Sequence, residues 1–337
     1  MGLTNDDFER IMLCAAEANV ADVHITEEVP VYWRRYGALS PLREYVPSQQ
    51  DMRRLLNRLL DDDSAEHFRK KLNADFSWNM GKWRYRFNIS RLYDGRLSFA
   101  IRTLTRQIPE LSELGQAGLL RRFLKLRQGL LLITGKTSNG KTTSAAAFIN
   151  ELNNIDDLHI ITLEDPVEFI FPPGRCLISQ RELGKSFYSY AAAIKNAMRQ
   201  DPYIIYISEL RDTETVRLAI DAAATGHLVV ATMHTAGAVE ALERLEGMFS
   251  ADERAAGRSM LSSVLKGVCT QQLFPVKSGG LGCAVEILTA NQSVRSLIRA
   301  GKFEQLTSVM QAGGKQGMQT MQQGIAQLSL AEGFQVE

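Results

Sequence analysis

Apolar positions in the first hundred residues change period several times. Phe8, Ile11, Met12 and Ala15 recur at i, i+3, i+4 and i+7, which predicts a helix across residues 5–20. Residues 22–25 and 31–36 form short strand patterns, the second ended by Gly37, and residues 50–72 predict one charged amphipathic helix. A further strand is expected at 76–78. Two alternating runs, 83–89 and 97–103, then flank Tyr93-Asp-Gly-Arg96, and Asp-Gly between alternating runs is a hairpin signal. Residues 1–106 are therefore expected to form an α+β domain with an antiparallel sheet.

The pattern shifts at 107–116, a polar, proline-interrupted stretch expected to be a linker. Beyond it, short apolar runs at 130–134, 159–163, 203–207 and 228–232 alternate with helical patterns at 142–152, 187–198 and 213–224. That alternation implies an α/β core, residues 117–270, with a parallel sheet covered on both faces. From about residue 240 the pattern turns mostly helical, with one apolar strand candidate at 283–288, and residues 271–337 are expected to be a mostly helical C-terminal region. The Gly/Gln-rich stretch 311–323 reads as a mobile connection, and no internal repeat is present.

Composition narrows the function classes. The chain has 337 residues, 39 basic and 38 acidic, for a formal net charge of +1. That balance argues against a nucleic-acid partner, which requires a basic surface. No apolar run approaches the roughly 20 residues that span a bilayer, and Asp6, Asp7, Glu9 and Arg10 stand where a signal peptide needs apolar residues. A cytoplasmic protein without an integral membrane segment is expected. Cys14, Cys176, Cys269 and Cys283 are scattered and form no CxxC pair, so reduced thiols rather than a zinc site are expected.

Chemistry enters at Gly135-Lys-Thr-Ser-Asn-Gly140-Lys141-Thr142, which fits GxxxxGK[ST] between an apolar strand and a helix. Such a loop wraps a phosphate so that successive backbone N–H groups point inward, and the helix adds its positive dipole end. Lys141 would supply charge to the β- and γ-phosphates, and the Thr142 hydroxyl a coordination position for Mg²⁺. Hydrolysis also needs acids, and two acidic clusters follow apolar strands: Glu164-Asp165-Pro-Val-Glu168 and Ser208-Glu209-Leu-Arg211-Asp212. His227 and His234 stand at the entry and exit of the next strand pattern, His234 beside the acids as a candidate γ-phosphate sensor.

Taken in order, these segments resemble the secretion-ATPase superfamily, and most closely the PilT family of type IV pilus retraction ATPases. Residues 135–143 look like its Walker A segment, 161–169 its Asp box, Gln180-Arg-Glu-Leu-Gly184 its QREVG stretch, 201–212 its Walker B segment and 226–235 its His box. The resemblance implies a PAS-like N-terminal domain, a RecA-like ATPase core and a homo-hexameric ring. Such a ring couples ATP hydrolysis, with Mg²⁺, to the inner-membrane platform protein of a pilus machine, at the cytoplasmic face of the membrane. It implies nucleotide binding by Gly135, Lys136, Thr137, Ser138, Asn139, Gly140, Lys141, Thr142 and Thr143, with Arg84, Arg86 and Arg102 reaching phosphates from the N-terminal domain. It assigns Glu209 as the Walker B acid beside Mg²⁺, either Glu164 or Glu168 as a further acid, and His227 and His234 to the His box. Assembly ATPases of the superfamily usually carry an extra N-terminal domain and a tetracysteine motif, so the resemblance favours retraction.

The chain departs from the family pattern at several positions. Lys136 replaces a proline and Ser138 a glycine in the loop, and Ser208 replaces the Walker B glycine. The hairpin turn carries an apparent insertion at Asp94-Gly95-Arg96, and the AIRNLIRE motif survives only as Ser293-Val-Arg295-Ser-Leu-Ile-Arg299-Ala300. Serine in the loop restricts the backbone wherever φ must be positive. Lys141, Thr142 and Glu209 are retained, which implies an active enzyme.

Overall fold

The structure, a computed structural model, describes the chain except residues 1, 19, 36–37, 82, 105–106, 278–279 and 333–337. It divides into two compact units, Met1–Gln107 with Pro166–Ile170, and Ile108–Asp165 with Phe171–Glu337.

The first unit follows the order α1 (Asn5–Glu17), β1 (Asp22–Thr26), β2 (Val31–Arg35), β3 (Ala38–Leu42), α2 (Gln49–Leu59), α3 (Asp62–Lys71), β4 (Asn73–Met80), β5 (Trp83–Arg91) and β6 (Leu97–Leu104). Its sheet is antiparallel with order β3-β2-β1-β6-β5-β4. Alternation puts Tyr85, Phe87 and Ile89 into one core with Phe8, Met12, Met52 and Leu55. The expected end of the second strand, Tyr36 and Gly37, lies outside the described residues.

The single helix expected at 50–72 is two helices. Leu60 is extended at the end of α2, and the Asp61 carboxylate accepts from Ser64 N at 2.8 Å, capping α3.

The second unit runs β7 (Gly129–Thr134), α4 (Lys141–Ile155), β8 (His159–Glu164), β9 (Leu177–Glu182), α5 (Tyr190–Ala197), β10 (Ile204–Ile207), α6 (Thr213–Ala224) and β11 (Leu228–Met233). It continues with α7 (Ala238–Gly247), α8 (Arg254–Val264), β12 (Leu265–Pro275), β13 (Leu281–Thr289), α9 (Gln292–Ala300), α10 (Leu306–Ala312) and α11 (Met321–Glu332). The sheet has order β13-β12-β7-β11-β10-β8-β9, parallel throughout except for β13. This is the expected α/β class. Successive strand residues serve opposite faces: Leu131 and Ile133 pack with Phe148 and Leu152 of α4, while Leu130 and Leu132 pack with the helices of the other layer.

Within the expected linker, residues 107–116, Leu111 is fully buried against the α4 layer, with 3-10 turns at Leu111–Glu113 and Gly115–Phe123. Two expectations need correction. The strand β12 replaces what the pattern gave as helix, because Thr270 and Gln271 are buried polar residues whose partners, Thr134 Oγ1 at 2.8 Å and Ser144 Oγ at 2.7 Å, come from distant sequence. The stretch 311–323 is packed rather than mobile: Gln319 exchanges backbone bonds with Ile287 at 2.7 and 3.0 Å, and Met318 and Thr320 are buried.

Arg295, in the segment resembling AIRNLIRE, has a structural task. Its guanidinium donates to Ser262 O at 2.5 Å, Ser263 O at 2.7 Å, Leu265 O at 2.9 Å and Ala290 O at 3.1 Å. The first three are carbonyls at the end of α8 that have no helical partner. Arg295→Met is expected to destabilise the second unit by about 2 kcal/mol, since charge-assisted bonds are lost and part-buried acceptors stranded. Urea unfolding followed with hydrogen exchange in α8 would check it; unchanged protection there would refute the capping role.

Candidate functional site

Strand order assembles the site. The loop after β7, His234 after β11, Glu209 after β10 and Glu164 with Asp165 after β8 leave the same edge of a parallel sheet whose neighbours run β7-β11-β10-β8. Residues as far apart in sequence as Lys141 and His234, 93 positions, thereby form one row, at the carboxyl ends where open α/β sheets bind ligands.

The 135–140 loop is shaped by positive φ. Gly135 has φ +150, and a Cβ there would lie 2.6 Å from Gln271 O, so β12 sets the loop's first residue. Gly140, at φ +77, is the N-cap of α4 and offers no side-chain cap, the kind of helix start that suits an anion. Asn139 Oδ1 accepts from Leu273 N at 3.2 Å, fastening the loop to β12 a second time. Ser138 adopts φ +65, so the serine does not escape the left-handed region. Ser138→Gly is accordingly expected to raise stability by about 0.5–1 kcal/mol in urea titration, by relief of that conformation.

Lys141 is buried, and its Nζ donates to Gly135 O at 2.8 Å and Lys136 O at 2.9 Å, with His234 Nδ1 at 3.2 Å. Lysine has only donors, so Nδ1 accepts and the proton sits on Nε2, facing Glu209 Oε2 at 3.5 Å. Burial first, then the Lys141 charge, holds His234 below the usual imidazole range, and it is neutral at neutral pH. Thr137 Oγ1 lies 3.4 Å from the same Nδ1.

Arg211 ties the two acidic strand ends together, bonding Glu209 Oε2 at 2.7 Å and Asp165 Oδ2 at 3.1 Å. Glu164 is buried and accepts from Thr162 Oγ1 at 2.6 Å and Gln180 Nε2 at 3.1 Å. Asp212 instead caps α6, its Oδ1 accepting from Thr215 N at 2.8 Å.

Other sequence candidates lie elsewhere. His227 is at the opposite end of β11, its Nδ1 3.1 Å from Ala222 O, and does not join the row. Glu168 belongs to the first unit, lining a cleft of about 220 Å³ with Asn79, Trp83 and Arg84. Arg84, Arg86 and Arg102 share one face of the first unit's sheet, Arg86 directly across from Arg102. Each is engaged there: Arg84 with Val167 O at 2.8 Å and Asn79 Oδ1 at 2.9 Å, Arg86 with Asp75 at 2.9 and 3.0 Å, Arg102 with Asp22 at 2.9 Å. Asp165 and Arg211 stand in the two acidic clusters of the sequence but take no role there, because charges after a strand look like a solvated turn until β8 and β10 are known to pair.

The fold and the loop define a P-loop nucleotide-binding protein with a parallel α/β core. Comparison with known proteins places it further: the chain belongs to the type II/IV secretion system protein family, whose model matches residues 4–329. It is 40% identical over 318 residues to the uncharacterized protein YggR of Escherichia coli K12, covering 94% of this chain and 96% of YggR. It is 35% identical over 316 residues to the type IV pilus retraction ATPase PilT of Pseudomonas aeruginosa, covering 94% of this chain and 92% of that protein. A crystal structure of the pilus retraction motor PilT with bound ADP superposes with TM-score 0.87 at 33% identity, covering 97% of this chain and 94% of the other.

Proposed function

We propose that the protein is an ATP-hydrolysing motor that drives retraction of a type IV pilus as a homo-hexamer. The observation that carries this reading is the row Lys141, His234, Glu209, Arg211 and Asp165 along one sheet edge beside the phosphate loop. Similarity to PilT along nearly the whole chain supports the pilus role. The loop N–H groups and Lys141 bind the triphosphate, and His234, neutral and hydrogen-bonded to Lys141, senses the γ-phosphate. Thr142 and Glu209 offer hard oxygen donors that suit Mg²⁺, which would neutralise charge on the phosphates. Glu209 orients the attacking water, with Glu164 as the second acid.

Among the described residues no helix is long and apolar enough to cross a membrane, so pulling on a pilus requires a membrane partner, which we assign to the inner-membrane platform protein at the cytoplasmic pilus base. A deletion strain tests the role: surplus surface pili without twitching are expected, and bald cells would overturn retraction in favour of assembly. Light scattering of purified protein with nucleotide tests the ring, and a monomer at micromolar concentration would refute it.

Ser138 at φ +65 favours one second reading, a nucleotide-binding accessory subunit with weak hydrolysis. Tight ATP binding without steady-state phosphate release would select it.

A further inference from the structure

Ser208, the residue before Glu209, is held at three atoms. Its N–H donates to Leu163 O of β8 at 2.9 Å, and its carbonyl accepts from Thr232 Oγ1 of β11. Its Oγ lies 2.7 Å from the phenolic oxygen of Tyr190, the first residue of α5. Glycine, the residue the Walker B resemblance leads one to expect, would keep the two backbone bonds and lose the third. That third bond exists because this chain carries a hydroxyl at both positions.

Tyr190 is well placed to act as an anchor. It is 9% exposed, and its ring meets that of Phe187 edge-on at 5.2 Å. Burial pushes the phenol well above its usual range, with the Ser208 hydrogen bond and Arg211 acting against it and Asp165 and Glu164 with it, so it remains a neutral hydroxyl at working pH. Those neighbours put the phenol among the charged groups of the strand ends. The carboxylate of Glu209 itself meets an Arg211 side chain that is 55% exposed, and His234 stands 3.5 Å away. The direction of Glu209 therefore depends on the backbone that carries it, and the Tyr190–Ser208 bond is the side-chain tie on the preceding residue.

We propose that Tyr190 and Ser208 are a pair of positioning residues that fix the Glu209 carboxylate for hydrolysis and couple it to α5. The proposal rests on the ATPase reading above. Neither hydroxyl touches nucleotide or the reacting water in this role. Each acts through Glu209, so its loss lowers the chemical step and leaves nucleotide binding in place.

The test is a double-mutant cycle in the full chain: Tyr190→Phe, Ser208→Ala and the two combined, with Ser208→Thr as the variant that keeps the hydroxyl. Steady-state ATP hydrolysis with Mg²⁺, ATP affinity by calorimetry and melting temperature are read for each. Each single change is expected to lower kcat about tenfold, equivalent to about 1.4 kcal/mol or one hydrogen bond, with KM and Kd within about twofold. The double variant is expected to be no slower than either single one, and Ser208→Thr to stay close to wild type. Losses that multiply in the double variant, or a lower melting temperature with kcat unchanged, would overturn the pair. A wild-type protein without turnover would remove the ATPase reading itself and the pair with it, whereas normal wild-type turnover with silent variants removes the pair alone.

Discussion

Lys141→Ala is expected to reduce ATP turnover to background, a loss of at least about 100-fold, together with most of the affinity for ATP. Lys141 is 7% exposed, and its ammonium closes the loop on itself through Gly135 O and Lys136 O. It is a concentrated charge at the mouth of a turn that otherwise offers only amide dipoles. Charge-assisted bonds to phosphate in such a water-poor setting contribute about 3–4 kcal/mol, which sets the scale of the loss. Lys141→Arg is expected not to rescue. The guanidinium is planar and larger, and the site holds a compact ammonium between two carbonyls and an imidazole nitrogen. Phosphate release and calorimetric ATP titration measure both effects, with circular dichroism to show that the fold survives. Turnover in Lys141→Ala above about a tenth of wild type would refute the assignment of the phosphate loop.

The loop was legible because its mechanics are local: a buried strand, glycines where φ turns positive, a lysine at the first helical position. Both residues that open α4, Lys141 and Thr142, stand where the spacing puts them. The hairpin between β5 and β6 was legible for the same reason, and Gly95 takes φ +88 in its turn. The break between α2 and α3 left a signal, since Asp61 heads a run of aspartates that favours a helix start over a helix middle.

Strand β12 left none, because the hydroxyl that satisfies its buried Gln271, that of Ser144, stands 127 positions away in sequence. Edge strand β9 was missed because its side chains are half exposed, which blurs the apolar run on which a buried strand is recognised. The ties between strand ends were hidden in the same way. Glu209 carries a recognisable position and Arg211 bonds it from two residues away, but the onward bond to Asp165 exists only because β10 and β8 are neighbours.

The role of Glu209 gives a result of comparable size to that of Lys141, in a different observable. Glu209→Gln is expected to bind ATP within a few-fold of wild type and to hydrolyse it at least about 100-fold more slowly, as losses of a preorganised electrostatic group do. The amide preserves the shape that packs beside Arg211 and His234, so the strand end and the loop stay in place. What disappears is the negative charge that the proposed role requires for ordering water, and an amide nitrogen cannot accept a hydrogen bond where a carboxylate oxygen can. A fluorescent ATP analogue reads binding, and single-turnover phosphate release reads the chemical step without interference from product loss. Wild-type turnover in Glu209→Gln would move the role to Glu164, whose oxygen is already held by Thr162 and Gln180 at 2.6 and 3.1 Å. The two acids then separate by the parallel substitution: with Glu209 as the acid that orients water, Glu164→Gln disturbs a buried hydrogen-bonded group and lowers stability along with rate, whereas Glu209→Gln lowers rate alone.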